Sequence, residues 1–165
     1  MLQKKICMLG AFSVGKTSLV KQFVASMFDD KYLTTIGVKI DKKVIVCDNT
    51  DVTLMLWDLA GEDEYNSINP SYLRGASGCI LVVDGTRPKT LDVALEIKTM
   101  AEAAIGQIPL IAALNKADLK AEWLIKEADL ERLAAAMPVI ETSAKTELGV
   151  EAMFQQLTQS MLRPG

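Results

Sequence analysis

One short stretch constrains what this chain can fold into more than any other: residues 10–17, GAFSVGKT. It matches the pattern G-x-x-x-x-G-K-S/T, a loop whose backbone N–H groups cradle phosphates. An apolar run at residues 6–9 leads into it as a buried strand would, and apolar residues at helical spacing follow from Lys16 onward. A strand end, a turn of successive N–H groups and the positive end of a helix therefore converge on one point, where we expect an anion.

The rest of the chain alternates apolar runs with helical patterns, an order typical of α/β proteins. Three apolar runs without a polar face indicate strands covered on both sides of a parallel sheet: residues 52–57, 79–83 and 109–114. A short sixth strand is predicted at residues 139–140. Four helices are predicted. The first begins at residue 16, the second ends near residue 106, and the third covers about residues 126–136. The fourth begins at residue 150, where a clear apolar stripe starts.

Residues 38–47 predict an edge strand whose solvent face carries Lys39, Asp41 and Lys43, followed by a hairpin turn at residues 48–51. The predicted fold class is therefore α/β: a doubly wound, six-stranded, mainly parallel sheet with one antiparallel edge strand. We expect a single domain spanning residues 1–165, with ligands at the carboxyl ends of the strands.

Composition excludes several classes of function. A net charge of −3 gives no electrostatic footprint for nucleic acid or anionic lipid, so neither is an expected partner. The three cysteines lie in apolar runs without metal-ligand spacing, which favours free thiols in a cytoplasmic protein. We expect no intrinsic membrane anchor, because no apolar stretch is long enough to span a bilayer. Since the chain has no histidine, any catalysis depends on positioning, cations and carboxylates.

Three side chains beside the loop carry the predicted phosphate chemistry. Lys16 would place a positive charge on the β- and γ-phosphates of a nucleotide, and the Thr17 hydroxyl would bind Mg²⁺. Asp58 closes a predicted strand, where its carboxylate would hold Mg²⁺, usually through water. Gly61, three residues later, would let the backbone approach the γ-phosphate.

Two further stretches follow predicted strands at the same edge of the sheet: residues 115–118, NKAD, and residues 142–145, TSAK. An aspartate after a strand is also typical of a helix N-cap, so residues 115–118 alone do not decide the ligand. Residues 143–145 are too short to be specific without the other motifs.

Taken together, the five motifs resemble the Ras superfamily of small GTPases over essentially the whole chain. They are the phosphate loop, T-I-G at 35–37, D-x-A-G at 58–61, N-K-x-D at 115–118 and S-A-K at 143–145. Residues 35–38 and 71–76 most resemble the Rab branch. The resemblance implies a P-loop GTPase (G) domain that binds GTP and GDP with Mg²⁺, hydrolyses GTP to GDP and phosphate, and acts as a molecular switch.

The resemblance also implies roles for individual residues. Asp118 would accept hydrogen bonds from guanine N1 and N2, Ala144 would donate to O6, and Asn115 would tie the loops together. The nucleotide-binding residues implied are Ser13, Val14, Gly15, Lys16, Thr17, Ser18, Phe28, Thr35, Asn115, Lys116, Asp118, Ser143, Ala144 and Lys145. The Mg²⁺ ligands implied are Thr17, Thr35 and Asp58. The catalytic residues implied are Lys16, Gly61 and Glu62.

Two residues depart from the family pattern at the predicted catalytic centre. Glu62 stands where relatives have the glutamine that orients water; a carboxylate can accept from water but also repels the γ-phosphate. It either acts as a base or belongs to a solvated acidic loop with no role. Phe12 stands where relatives have a small residue, and its ring would either block an incoming arginine or turn outward.

The switch loops of the resemblance define where partners are expected. Effectors, exchange factors and activating proteins would contact residues 28–40 and 57–74, including the aromatic residues Trp57 and Tyr72. The chain stops at Gly165 without a C-a-a-X box. Either a tail was removed or the protein is a relative without a lipid anchor, such as a prokaryotic one, and we favour the second interpretation. A monomer is expected at this size, and a guanine-nucleotide-binding module that does not hydrolyse GTP is the alternative.

Overall fold

The structure, a computed structural model, describes residues 2–25, 37–60 and 68–163. These ranges contain strands β1 (Leu2–Gly10), β2 (Gly37–Cys47), β3 (Thr50–Ala60), β4 (Gly78–Asp84), β5 (Leu110–Asn115) and β6 (Val139–Glu141). The α-helices are α1 (Lys16–Ala25), α2 (Lys89–Ile105), α3 (Glu127–Ala136) and α4 (Val150–Leu162). Short 3-10 helices span Pro70–Leu73 and Ala117–Glu122.

The strands form one sheet in the order β2-β3-β1-β4-β5-β6. Only the β2–β3 pair is antiparallel among the described strands; the other four pairs are parallel. Every residue of β4 is buried, as expected for a strand covered on both faces. The predicted fold class is therefore confirmed. Because β1 lies between β3 and β4, the chain that leaves its carboxyl end enters the crevice where ligands bind in such sheets.

Two apolar layers cover the sheet, one on each face. The first joins α1 and α4 to the sheet, and the second joins α2 and α3 to it. The predicted stripe of α4 is confirmed, because all its members are buried: Val150, Met153, Phe154, Leu157 and Met161. No helix in the described ranges combines the length and the apolar character that crossing a bilayer requires.

A stacked aromatic pair joins α1 to α4 in the first layer. The rings of Phe23 and Phe154 lie 3.8 Å apart between centroids and 7° from parallel, and Phe154 is fully buried.

Phe154→Ala should lower the free energy of unfolding by about 3–5 kcal/mol, because it removes the buried ring and leaves a cavity. Urea unfolding at one fixed GDP concentration measures this loss. As a control, Leu124→Ala should change it by at most about 0.5 kcal/mol, since Leu124 is 67% exposed. A loss below about 1 kcal/mol in the Phe154 variant would contradict the packing described here.

The prediction for the faces of β2 is wrong beyond the start of the strand, although Lys39 is exposed as predicted. Lys43 lies on the covered side, where its ammonium group donates to the Phe23 carbonyl over 2.9 Å. The exposed face instead carries Ile40, Val44 and Val46, which are 46%, 54% and 61% exposed. The physical reason is that α1 and α4 cover the side of β2 that carries Lys43.

Two predicted boundaries also change. The hairpin turn comprises only Asp48 and Asn49, both with positive φ, as in the tight two-residue turns that match the twist of paired strands. Asp58 does not close its strand, because β3 continues to Ala60. The antiparallel partner β2 pairs along this whole length, whereas pairing with β1 ends at Met8 and Asp58. Asp58 therefore lies where β3 loses β1 as a neighbour.

Candidate functional site

The loop between β1 and α1 has the backbone shape of an anion cradle. Ser13 has φ 65° and Gly15 has φ 103°, so left-handed residues interrupt the turn. Such alternation points successive N–H groups into one concavity. A Cβ atom on Gly15 would lie 2.4 Å from Nδ2 of Asn115, so only glycine fits there. The shape of the loop thus depends on contact with Asn115 at the end of β5.

Lys16 is a buried cation at the start of α1. Its side chain is 6% exposed, and its ammonium group donates to the carbonyls of Gly10 over 3.3 Å and Ala11 over 3.1 Å. Burial lowers the pKa of Lys16 to about 8, although attraction to Asp58 opposes the shift and repulsion from Arg87 adds to it. A buried ammonium group whose hydrogen bonds to the described residues go to two backbone carbonyls is suited to an anionic ligand.

Thr17 and Asp58 bring two oxygens together beside the cradle. The Thr17 hydroxyl donates to Oδ2 of Asp58 over 2.5 Å, across 41 residues of sequence, and Asp58 is 1% exposed. A hydroxyl and a carboxylate form the hard oxygen donor set that Mg²⁺ prefers. The residues present therefore fit the predicted metal.

The loop after β5 is tied directly to the cradle. Nδ2 of Asn115 donates to the carbonyl of Val14 over 2.9 Å, and the Lys116 ammonium group donates to the carbonyl of Ser13 over 3.1 Å. Lys116 has φ 70°, which is unusual for a residue with a side chain and keeps its peptide in a left-handed turn. The predicted role of Asn115 as a tie between loops agrees with these contacts.

The loop after β6 joins the same cluster. The Thr142 hydroxyl donates to Oδ1 of Asn115 over 3.0 Å, and the Ala117 N–H donates to the Thr142 carbonyl over 3.0 Å. The Ser143 hydroxyl donates to Oδ1 of Asp118 over 2.7 Å. The structure therefore brings together the phosphate loop and both downstream motifs, as the sequence predicts.

Asp84, which none of the sequence motifs contains, links the two ends of the cluster. Oδ2 of Asp84 lies 2.8 Å from the Lys116 ammonium group and 3.1 Å from Nε of Arg87. Burial raises the pKa of Asp84, but hydrogen bonds from Lys116 and Thr86 and the charge of Lys116 outweigh it, so the pKa lies below its usual value. Its position at the carboxyl end of β4, where ligands are expected, was the signal that could have identified it.

Two further contacts were not predicted. Nε2 of Gln22, on α1, donates to the carbonyl of Ala144 over 2.7 Å and so fixes the loop after β6. Nη2 of Arg87 donates to the carbonyl of Phe12 over 2.5 Å, at the lip of the cradle. No pattern in the sequence identifies either contact, because each joins residues more than 70 positions apart.

Some predicted residues are not part of this cluster as the structure describes it. Lys145 is exposed, and Ser18 lies half-buried on α1. The remaining predicted site residues, Phe28, Thr35, Gly61 and Glu62, lie outside the described residues.

Part of the predicted partner surface lies at the β2–β3 pair, around the Trp57 side chain. The rings of Trp57 and Tyr72 lie 6.5 Å apart between centroids, and Ile40 is opposite Trp57 across the β2–β3 pair. The Lys5 ammonium group lies 3.6 Å from the Trp57 ring centroid and donates to the carbonyls of Tyr72 and Arg74 over 2.6 and 2.7 Å. These contacts fix the 3-10 helix Pro70–Leu73 beside Trp57.

Comparison with known proteins agrees with this geometry. Residues 5–163 match the family model described as Ras family. The chain is 37% identical over 165 residues to GTP-binding protein ypt5 of Schizosaccharomyces pombe, covering 97% of this chain and 78% of that protein. It is 31% identical over 161 residues to Ras-related protein Rab-13 of Rattus norvegicus, covering 96% and 79%. It is 32% identical over 160 residues to Ras-related protein Rab-31 of Homo sapiens, covering 95% and 82%.

All three relatives come from eukaryotes, so they give no support to the predicted prokaryotic origin. The family match covers the phosphate loop, the two downstream motifs and the sheet that holds them together. The chain is a member of the Ras family of small GTP-binding proteins, similar to its Rab branch.

Proposed function

We propose that this site binds GTP and GDP with Mg²⁺ and hydrolyses GTP to GDP and phosphate. The observation that carries the proposal is the pair of ties from Asn115 and Lys116 to the carbonyls of Val14 and Ser13. They join the predicted phosphate end to the predicted base end, so that one ligand can contact both ends. A nucleoside di- or triphosphate has the two-ended chemistry that such a frame selects.

Asp118 is the residue that we propose selects guanine. Its carboxylate would accept hydrogen bonds from the N1–H and N2–H groups of the base, while Ser143 holds one of its oxygens. Adenine offers no such pair of donors and would leave the carboxylate without them. Sites built on such bonds reject the wrong partner by about 10⁴-fold or more.

Thr17, Asp58 and Thr35 are the residues that we propose hold Mg²⁺, with Thr35 joining only when a γ-phosphate is present. When bound, the ion would neutralise charge on the β- and γ-phosphate oxygens. The support is the adjacent hydroxyl and carboxylate of Thr17 and Asp58.

Hydrolysis forms a bond between a water oxygen and the γ-phosphorus and breaks the bond from that phosphorus to the β–γ bridging oxygen. Negative charge grows on the bridging oxygen, where the Lys16 ammonium group and the loop N–H groups would stabilise it. The proton of the attacking water must leave, and we propose that the Glu62 carboxylate orients that water and accepts the proton. Gly61 would donate its N–H to the γ-phosphate.

The switch follows from losing the γ-phosphate. Thr35 and Gly61 would release it, and the loops at about residues 28–38 and 59–74 would relax, so a partner that contacts them distinguishes GTP from GDP. We propose that effectors, exchange factors and activating proteins bind there, using the adjacent Trp57, Tyr72 and Ile40.

We also propose that the chain forms a single, monomeric domain in the cytoplasm. The continuous sheet supports a single domain, and the free thiols of the three cysteines support the cytoplasm.

Single-turnover GTP hydrolysis tests the proposed reaction. Wild type loaded with GTP and Mg²⁺ should release phosphate, and Glu62→Ala should lower the rate by about 10²-fold, the usual contribution of a positioned acid or base. Glu62→Gln separates the roles, since glutamine orients water but cannot take its proton. The matched control is Glu131→Ala, which removes a carboxylate from the exposed side of α3 and should leave the rate unchanged.

The outcomes separate the alternatives. Phosphate release by wild type that is unaffected by Glu62→Ala would keep the reaction but remove Glu62 from it. No release over many hours, with GTP still bound tightly, would instead support a binding module that does not hydrolyse GTP. Equal affinity for ATP and GTP would contradict the proposed ligand itself.

A further inference from the structure

Trp123 closes the segment that carries the proposed base-selecting carboxylate. It follows the 3-10 helix Ala117–Glu122, and its indole Nε1–H donates to the carbonyl of Lys116 over 2.9 Å, seven residues earlier. This hydrogen bond joins the two ends of the segment at residues 116–123, and Asp118 belongs to that segment. The Lys116 carbonyl, on a residue with a left-handed backbone, also accepts from the Leu119 N–H over 2.9 Å, so the indole and the start of the 3-10 helix hold this carbonyl together.

The indole ring also fixes this segment to the turn after β4. A Cβ atom on Gly85 would lie 2.2 Å from Cε2 of Trp123, so the ring rests directly on the Gly85 backbone. The Gly85 carbonyl accepts from the N–H groups of Leu124 and Ile125 over 3.1 and 3.3 Å, and its own N–H donates to the Asn115 carbonyl over 3.3 Å. The segment is therefore anchored to Gly85 on both sides of Asp118.

A third contact connects the ring to the strand that precedes the Ser143 loop. The Lys120 ammonium group lies 5.4 Å from the centroid of the Trp123 ring and pairs with the Glu141 carboxylate over 2.8 Å. Glu141 ends β6, immediately before Thr142 and Ser143. The ring thus lies among the contacts that set both the Lys116 carbonyl and the loop whose hydroxyl holds Asp118.

We propose that Trp123 is a positioning residue for base selectivity, acting through its indole N–H on the Lys116 peptide and so on Asp118. This inference rests on the proposed function of Asp118. Two hydrogen bonds to one base demand a more accurately placed carboxylate than one bond does. Loosening the segment should therefore reduce binding of guanine, which offers N1–H and N2–H, more than binding of hypoxanthine, which lacks the 2-amino group.

The test compares GDP with IDP in Trp123→Phe, which keeps an aromatic ring and removes the N–H donor together with part of the bicyclic indole. Relative affinities are measured by competition against a fluorescent guanine nucleotide. We expect GDP affinity to fall about three- to tenfold, the range for loss of one hydrogen bond, and IDP affinity to fall less than about twofold. Thr99→Val, which removes a side-chain donor to the Leu95 carbonyl on the surface of α2, is the control and should leave the ratio of GDP affinity to IDP affinity unchanged.

Equal losses of GDP and IDP affinity in Trp123→Phe, which leave the ratio of the two affinities unchanged, would overturn the inference and leave Trp123 a packing residue. Trp123→Ala, which removes both ring and donor, should lower the ratio at least as far as Trp123→Phe does. The proposed function fails separately: wild type would then not prefer GDP to ADP. A wild type that prefers GDP, with a variant ratio that does not move, overturns only the role of Trp123.

Discussion

Asp118→Asn should exchange the guanine preference of the site for xanthine. The asparagine side chain has one acceptor and one donor, so it can accept from N1–H but meets the 2-amino group of guanine with a second donor. Xanthine carries a carbonyl in place of that amino group and matches the amide. The Ser143 hydroxyl, 2.7 Å from Oδ1 of Asp118, can still donate to the amide oxygen. We expect the affinity of the variant for GDP to fall by about 10⁴-fold, and its affinity for XDP to exceed its remaining affinity for GDP.

Competition binding with GDP, XDP and ADP measures the exchange. Asp48→Asn is the matched control: it makes the same chemical change in the β2–β3 turn, where asparagine tolerates the left-handed backbone. That variant should keep the wild-type preference. If Asp118→Asn lost GDP and gained no XDP, the carboxylate would serve the fold of the loop and not the choice of base.

Much of this site was predictable because its parts are local in sequence. A glycine-bounded loop between a strand and a helix defines an anion cradle without any knowledge of distant contacts, and the described geometry of Gly15 and Lys16 agrees with it. The later motifs each follow a strand, and parallel strands place their carboxyl ends on one edge. That rule also reaches Asp84, which ends β4 and was overlooked only because no motif contains it.

What was not predictable depends on which distant side chains meet. Gln22 reaches the carbonyl of Ala144 across 122 residues, and nothing in its helical position distinguishes it from a solvent-facing glutamine. The Trp123 ring occupies space that exists only because residue 85 is glycine, a pairing that no local pattern contains. The faces of β2 were assigned incorrectly for the same reason: charged residues suggested a solvent face, but α1 and α4 cover the side of the strand that carries Lys43.

Lys16→Ala should have the other large effect, a loss of about 10³-fold in affinity for GDP and GTP. Lys16 is 6% exposed, so the phosphates would lose a cation in a place where water replaces it poorly. Removing one partner of a buried ion pair costs about 3–5 kcal/mol, which corresponds to this loss. Nucleotide competition measures it. Lys98→Ala is the control, since that lysine pairs with Glu102 on the surface of α2, away from the cradle, and should leave affinity unchanged.

The same variant should not lower the stability of the nucleotide-free protein, and this opposite result tests the interpretation most sharply. Burial lowers the pKa of Lys16 to about 8, so folding disfavours its charged form and the cation destabilises the empty fold at neutral pH. Replacing it with alanine removes that cost, so urea unfolding without nucleotide should give a free energy equal to or above that of wild type. If both affinity and empty-state stability fell together, Lys16 would be a structural residue of the loop. A fall in affinity alone identifies a cation kept, against the stability of the fold, for an anionic ligand.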